Sequence, residues 1–363
     1  MRNLRIMLNF QVLLFILIFS SCSTVPQFYN VPEKPQAKTF SNSTQDVIEV
    51  KEGTDLHRAN LFGNVKTLIS TNYNVVKKID KWVSNDVTSK SIVTYNVQGN
   101  QTSYELPLQK MKLQYCYDDL KNVYEFLHYE DGLLNSRMTY TYDDYGRMIE
   151  DITYNPKGII QYKTFFTYDE NGNLVKEVTY NSRGSVHSRS IYQYDDKGNI
   201  INTDKYHREI DLLTQNIVYT YDENGNITEQ VTYKKNGTLL NRTIYSHDDQ
   251  GNIIEEGSYT ENDRLMGNKS IYTYDEKNNI TEKAEYNEDG ILISKEVTTY
   301  DDKSNVVEFT SYNFDGTYSK DIISYEYDEN GNWVKKIDYE KGIRFEEADI
   351  HPISITIREI TYY

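Results

Sequence analysis

From about residue 60 to the end, apolar and polar residues alternate with a period of two in short runs, and each run closes on a cluster of Asp, Asn, Lys and Gly. The stretch YTYDENGNITEQVTY, Tyr219 to Tyr233, returns nearly unchanged as YTYDEKNNITEKAEY, Tyr272 to Tyr286. Alternation with period two predicts half-buried β-strands, because successive side chains point to opposite sides of a sheet. Asp222-Glu223-Asn224-Gly225-Asn226 predicts a type I turn: Asp accepts from the backbone N–H two residues on, and Gly takes the left-handed position. A second turn of the same kind follows a tyrosine, as in Asn155-Pro156-Lys157-Gly158. Each unit is therefore a β-hairpin.

The pair Tyr-Asp marks the repeat at Tyr117, Tyr142, Tyr168, Tyr194, Tyr221, Tyr274, Tyr300 and Tyr327, with His247-Asp248 as a degenerate copy. Steps of 25 to 27 residues separate them, and a weaker copy begins at Thr94. About ten such hairpins in series predict an all-β fold, a continuous antiparallel meander. Within one unit, pairing Asn155 with Ile159 sets Tyr154 against Ile160, Ile152 against Tyr162, Glu150 against Thr164 and Met148 against Phe166. That register gives one aromatic and aliphatic face. The opposite face carries Arg147, Asp151, Thr153, Gln161, Lys163 and Thr167, with Ile149 and Phe165 as exceptions. The extra residue of a 27-residue step, such as the one between Gly316 and Tyr327, predicts a β-bulge that keeps later side chains on their proper face.

Open sheets rarely exceed about ten strands without curling, and about twenty strands closed as a barrel would leave an interior too wide to fill. The expected form is a curved or spiral sheet. A lipid-facing barrel is disfavoured because Glu229, Glu255, Glu282 and Glu308 sit mid-strand on the more apolar face.

The N-terminus changes the picture of location. Arg2 and Arg5 precede an apolar run from Ile6 to Phe19, and Phe19-Ser20-Ser21-Cys22 reads as a lipobox. Residues 1–21 are thus expected to be a lipoprotein signal peptide, with Cys22 lipidated and Ser23 favouring the outer membrane. Residues 22–59 are read as a polar tether and 60–363 as the repeat domain. Loss of residues 1–21, which hold two arginines and no acid, takes the formal net charge from −16 to −18. Such a chain repels phosphate backbones, so no nucleic-acid partner is expected. Once Cys22 is used, Cys116 is the one remaining thiol and fits a buried strand position.

No chemistry stands out. The histidines His57, His128, His187, His207, His247 and His351 occupy unrelated places in the repeat. No HExxH, CxxC, GxSxG or phosphate-loop spacing occurs. The Asp-x-Asn-Gly-Asn turn lacks the acid before glycine and the later glutamate of a calcium loop. No enzyme activity, cofactor or metal is expected, and Asp169, Asp195, Asp222, Asp275 and Asp328 are read as turn caps. Tyr192, Tyr219, Tyr245 and Tyr272 are expected to form one cross-strand column, and with Trp333 they are candidate ligand-stacking residues. Two readings of function follow: a non-enzymatic envelope scaffold or protein-interaction surface, or a module that stacks a glycan or peptide on its tyrosines.

The pattern YxYDxxGN with a glycine turn between copies resembles the YD repeats of RHS-like proteins, and the whole chain resembles small YD-repeat bacterial lipoproteins. The resemblance implies hairpins wound into a β-sheet shell. The period here is longer than in that family, and no cargo domain follows Trp333 before Tyr363.

Overall fold

A computed structural model describes residues 54–79, 81–207, 212–341 and 350–363, all within the compact unit Val47–Tyr363. Cys22 and the signal and tether segments up to residue 53 lie outside the described residues. Among the described residues no helix is long and apolar enough to cross a membrane. Among the described residues one α-helical turn, α1 (Asp55–Arg58), precedes 22 strands. Ordered structure thus reaches back into the segment read as tether.

The strands form a meander in which each pairs antiparallel with the next, from β1 (Val65–Lys78), β2 (Lys81–Tyr95) and β3 (Gln101–Leu106) to β21 (Trp333–Lys341) and β22 (Ile350–Tyr362). The sheet then closes. β22 pairs back onto β1, with Leu68 opposite Ile360 and Ser70 opposite Arg358. The expected curved or spiral sheet is therefore corrected to a 22-stranded β-barrel. Closure removes both edges, whose unpaired N–H and C=O groups would otherwise stay open to other chains. Nothing in a local repeat encodes that event, because it joins residues almost 300 positions apart.

The tyrosine-aspartate turns form one rim. Asp222 Oδ1 accepts from the N–H groups of Asn224 and Asn226 at 2.9 and 2.8 Å, and Asn226 Nδ2 donates to Asp222 Oδ2 at 2.9 Å. The same bonds recur at Asp169, Asp195 and Asp275, and the backbone pair recurs at Asp328. Gly225 supplies φ +88°, and where glycine is missing Asn278 and Ser304 take left-handed angles of 63° and 61°.

The register departs from the expectation. Tyr154 does face Ile160, but a bulge then sets Thr153 against Tyr162, Ile152 against Lys163 and Glu150 against Phe165. A single unpaired residue reverses every later side chain, so the two faces are not one apolar and one polar. Both are mixed. Such a shift accompanies nearly every turn, while β3 with β4 (Met111–Tyr117) and β19 (Val306–Asn313) with β20 (Tyr318–Tyr327) keep a continuous register.

The second of these corrects the bulge expected between Gly316 and Tyr327. The other two 27-residue steps, into Tyr221 and Tyr274, do carry register shifts, between Lys205 and Tyr206 and between Gly257 and Tyr259. Strands β17 (Ile280–Tyr286) and β18 (Leu292–Tyr300) need a one-residue bulge to bring Tyr300 to its face. In β20 (Tyr318–Tyr327) the added residue supplies the same reversal by count, and the bulge is unnecessary.

The barrel's densest core lies at its seam. Leu56, Leu61, Val65, Leu68, Val93 and Tyr95 form a buried cluster against Ile360 and Tyr362. Leu56 N–H donates to Gly99 O at 3.1 Å, and Asp55 Oδ2 accepts from Gln101 N–H at 2.6 Å. At the other end of this segment, Asn332 accepts from Phe62 N–H at 2.7 Å and donates to Phe62 O at 2.8 Å. Residues 54–64 thus clasp the turn before β3 to the turn before β21, across the closing strands.

Candidate functional site: the tyrosine-lined inner surface

Side chains of one parity form a continuous face that includes Tyr115, Tyr142, Asp151, Tyr168, Glu177, Tyr192, Tyr219, Tyr272 and Tyr325. Burial pushes the hydroxyl of every one of these tyrosines up, Tyr142 to about 12, and raises the carboxyls of Asp151 and Glu177. In a closed sheet, side chains converge on the concave side and diverge on the convex side. Desolvation gathered on one face therefore marks the inner surface.

The outer surface carries a diagonal ion pair in six hairpins. Arg137–Glu125 (2.5 Å), Lys163–Glu150 (2.7 Å), Arg242–Glu229, Lys269–Glu255 (3.3 Å), Lys295–Glu282 (2.6 Å) and Lys320–Glu308 (2.6 Å) each join the two strands of one hairpin. The mid-strand glutamates are thus explained by a cation across the hairpin, beside aliphatic partners such as Ile244 and Val297.

The two tyrosines of each YxY do different things. The second is a strut. Tyr117, Tyr142, Tyr168, Tyr194, Tyr221, Tyr274 and Tyr300 each donate a hydroxyl hydrogen bond of 2.7 to 2.8 Å to the backbone carbonyl that opens the preceding strand. The sequence marked these tyrosines only as boundaries of the repeat, although a strand start recurs 16 to 21 residues before each of them. Tyr168→Phe, which leaves the Met148 carbonyl without its donor, is expected to cost about 1 kcal/mol, read as a lower denaturant midpoint at unchanged slope.

The first tyrosine faces the interior. Tyr192, Tyr219, Tyr245 and Tyr272 share the inner face but sit on alternate strands, opposite Thr203, Gln230, Glu256 and Lys283. The expected single column is therefore interleaved with polar side chains. Tyr192 donates to Glu177 Oε2 at 3.1 Å and Tyr272 to Glu256 Oε1 at 2.5 Å. Tyr219 is only 6% exposed and packs with Ile200 and Ile217, which takes it out of reach of a ligand. Tyr192, Tyr245 and Tyr272 stay half-buried.

Trp333 lies at the seam on the same surface. Its ring stacks under the Arg358 guanidinium, whose Cζ is 3.3 Å from the ring centroid, and the Tyr325 ring centroid is 5.9 Å away. Trp333 was legible as an aromatic candidate; Arg358 was not, because it belongs to a strand outside the repeat pattern. Cys116 lies on the outer face opposite Glu125, and burial pushes its thiol up. His187 and His207 meet at 5.2 Å between centroids. Among the described residues no group of three or more His, Cys, Asp or Glu could hold a metal ion.

No family model matches the sequence, and no curated protein matches it. Solved structures do. A TcdB2–TccC3–Cdc42 crystal structure is 11% identical over 77% of this chain, with TM-score 0.38, and a TcdB2–TccC3 structure is 12% identical over 81%, with TM-score 0.39. The chain spans only 18% and 16% of those two chains. A porin-like protein from Bacteroides uniformis is 9% identical, covering 82% of this chain and 96% of its own, with TM-score 0.26. These likenesses stop at β-rich repeat architecture and do not extend to function.

Proposed function

We propose that this protein is a non-enzymatic cell-envelope lipoprotein whose barrel binds an extended polar ligand, a glycan or a peptide, on its tyrosine-lined inner surface. The observation that carries the reading is closure: it turns the half-buried Tyr192, Tyr245 and Tyr272 inward, among Glu, Lys, Gln and Thr side chains. Aromatic rings interleaved with hydrogen-bonding groups suit ligands that are both stacked and hydrogen-bonded. The alternative of a protein scaffold would use the outer surface, where the charges already neutralise one another in pairs and offer little to a partner. Those same mid-strand charges argue against a lipid-facing wall. Attachment to the outer membrane through Cys22 rests on the lipobox, and palmitate release after hydroxylamine or base treatment would test it.

The binding reading is tested by co-sedimentation of the full chain with insoluble polysaccharides of differing composition. Retention on at least one, reduced about tenfold or more by Tyr245→Ala combined with Tyr272→Ala, is the expected result. Retention unchanged in the double variant, or shifted instead by reversing the outer pair with Lys295→Glu, would move the function to the outer surface.

A further inference from the structure

Among the described residues, Arg358 is a cation on the inner face that no acid pairs with. Arg358, on β22, projects from the inner face at the seam, opposite the buried Ser70. Its Nε is buried with no hydrogen-bond partner, and no salt bridge to it forms among the described residues. On the inner face of β21, Asp338 is already occupied by Lys336 Nζ at 2.8 Å and Ser354 Oγ at 2.6 Å. The groups that feel the guanidinium's charge are the phenols of Tyr95 and Tyr325. Burial pushes the Arg358 pKa down to about 10, which leaves it fully charged at neutral pH.

An unpartnered inward-facing cation is unusual here for a simple reason. The chain carries 55 acids against 39 Lys and Arg, so a carboxylate was easy to supply. Desolvating a guanidinium without a counter-charge is costly, and an apolar residue stacked on Trp333 would avoid that cost. The stack also fixes the plane of the group. Trp333 covers one face of the group at 3.3 Å, and the residue as a whole is half-buried, with only its Nε among the fully enclosed unpartnered atoms. An edge-on guanidinium fork accepts a planar carboxylate through two parallel hydrogen bonds. Around it stand Tyr325, Tyr327 and Trp333, the rings suited to a sugar face.

We propose that Arg358 and Trp333 form a subsite for the carboxylate of an acidic sugar, such as a uronic acid unit of a polysaccharide. The assignment rests on the glycan reading above and names its charge. It makes the acidic chain of net charge −16 a binder of an anion through a local cation, so affinity depends on this one side chain and falls with added salt.

The two tryptophans make the test direct. Trp82 stacks with His351 away from the subsite, and Trp82→Phe leaves Trp333 as the sole indole. In the full chain carrying that change, tri-galacturonate is expected to give a saturable change in Trp333 fluorescence. Maltotriose, an uncharged trisaccharide with the same α-1,4 linkage, should bind at least about tenfold more weakly. Arg358→Gln should weaken tri-galacturonate on the order of 30-fold or more, because a buried charge pair is lost, and Arg358→Lys should recover only part of it. Arg358→Gln should not lower the melting temperature of the free protein, since it removes an uncompensated charge.

If maltotriose binds as tightly and Arg358→Gln is without effect, the carboxylate subsite is wrong while the tyrosine-lined glycan site stands. If inorganic phosphate alone saturates the signal, the acidic-sugar assignment is wrong. No fluorescence change with any ligand, together with a lower melting temperature for Arg358→Gln, would make Arg358 a structural prop for Trp333 and overturn the subsite.

Discussion

Truncating Leu61 to alanine is expected to open the barrel at its seam. Leu61 is 1% exposed and is the residue by which the clasp packs into the cluster that Val65, Leu68, Ile360 and Tyr362 of the first and last strands share. Removing it leaves a cavity that a rim anchored on both sides by hydrogen bonds cannot collapse, which places the cost at about 2–5 kcal/mol. Asn332→Ala attacks the same place through polar groups. It removes the bonds to Phe62 N–H, Phe62 O and the Tyr362 hydroxyl, at 2.7, 2.8 and 2.8 Å. Unsatisfied buried groups of this kind cost about 1–3 kcal/mol. The two losses should not add, because both release the same segment. Hydrogen exchange is the deciding measurement. Amide protection should fall first in β1 and β22, while β13 (Ile227–Lys234) and the strands beside it keep theirs. A uniform loss around the ring would mean that the barrel opens as one unit and that the clasp is not its weak point.

Lowering the pH from 7 to 5 is expected to stabilise the protein, and lowering it further to undo the gain. Burial raises the Asp151 carboxyl to about 6, against an ordinary value of 3.8. The folded protein then binds a proton that the unfolded chain releases, so this group's contribution is fully present below about 4 and is lost as pH climbs through 6. With the partial exposure of the group discounted, the effect is on the order of 2 kcal/mol. The rim aspartates act in the opposite sense. The Asn226, Asn252 and Asn279 side-chain amides hold Asp222, Asp248 and Asp275 below the usual carboxylate range, helped by backbone N–H groups. Stability from a depressed carboxyl is present above its unfolded value and disappears as pH falls through its folded one. Melting temperature should therefore rise toward pH 5 and drop below about pH 4. Asp151→Asn should flatten the curve between pH 7 and 5 and leave the acid limb intact. Parallel curves for the two proteins in the upper range would mean that Asp151 is solvated and carries no such cost.

Much of the local structure was legible residue by residue. Asp222 and Gly225 announced a turn because their side-chain and backbone preferences act within five residues. The YxY motif announced a strand end for the same reason. The candidate site was legible in part. Tyr192, Tyr245 and Tyr272 do face inward, but Tyr219 is sealed by Ile217 two residues before it and by Ile200 on the neighbouring strand, a contact that only the pairing of the two strands creates. Arg358 gave no signal at all, since neither its stacking on Trp333 nor the lack of an acid beside it among the described residues can be read from the chain.

The face assignment failed for a reason that is also physical. Counting alternate residues from Asn155 assumes an unbroken ladder, and one bulged residue between Thr153 and Tyr154's partners reversed the count. Local sequence could not choose between a bulge and a longer loop, because both satisfy the turn. By itself, the sequence determined the repeat, the strands, the two turns of each hairpin and the acidic charge, all of which follow from interactions between near neighbours. The tertiary structure alone decided that the sheet closes, that the tyrosines point inward, that the six mid-strand glutamates each meet a cation across the hairpin, and that among the described residues Arg358 meets no acid. Those outcomes depend on edges and curvature summed over 22 strands, and no single repeat carries that sum.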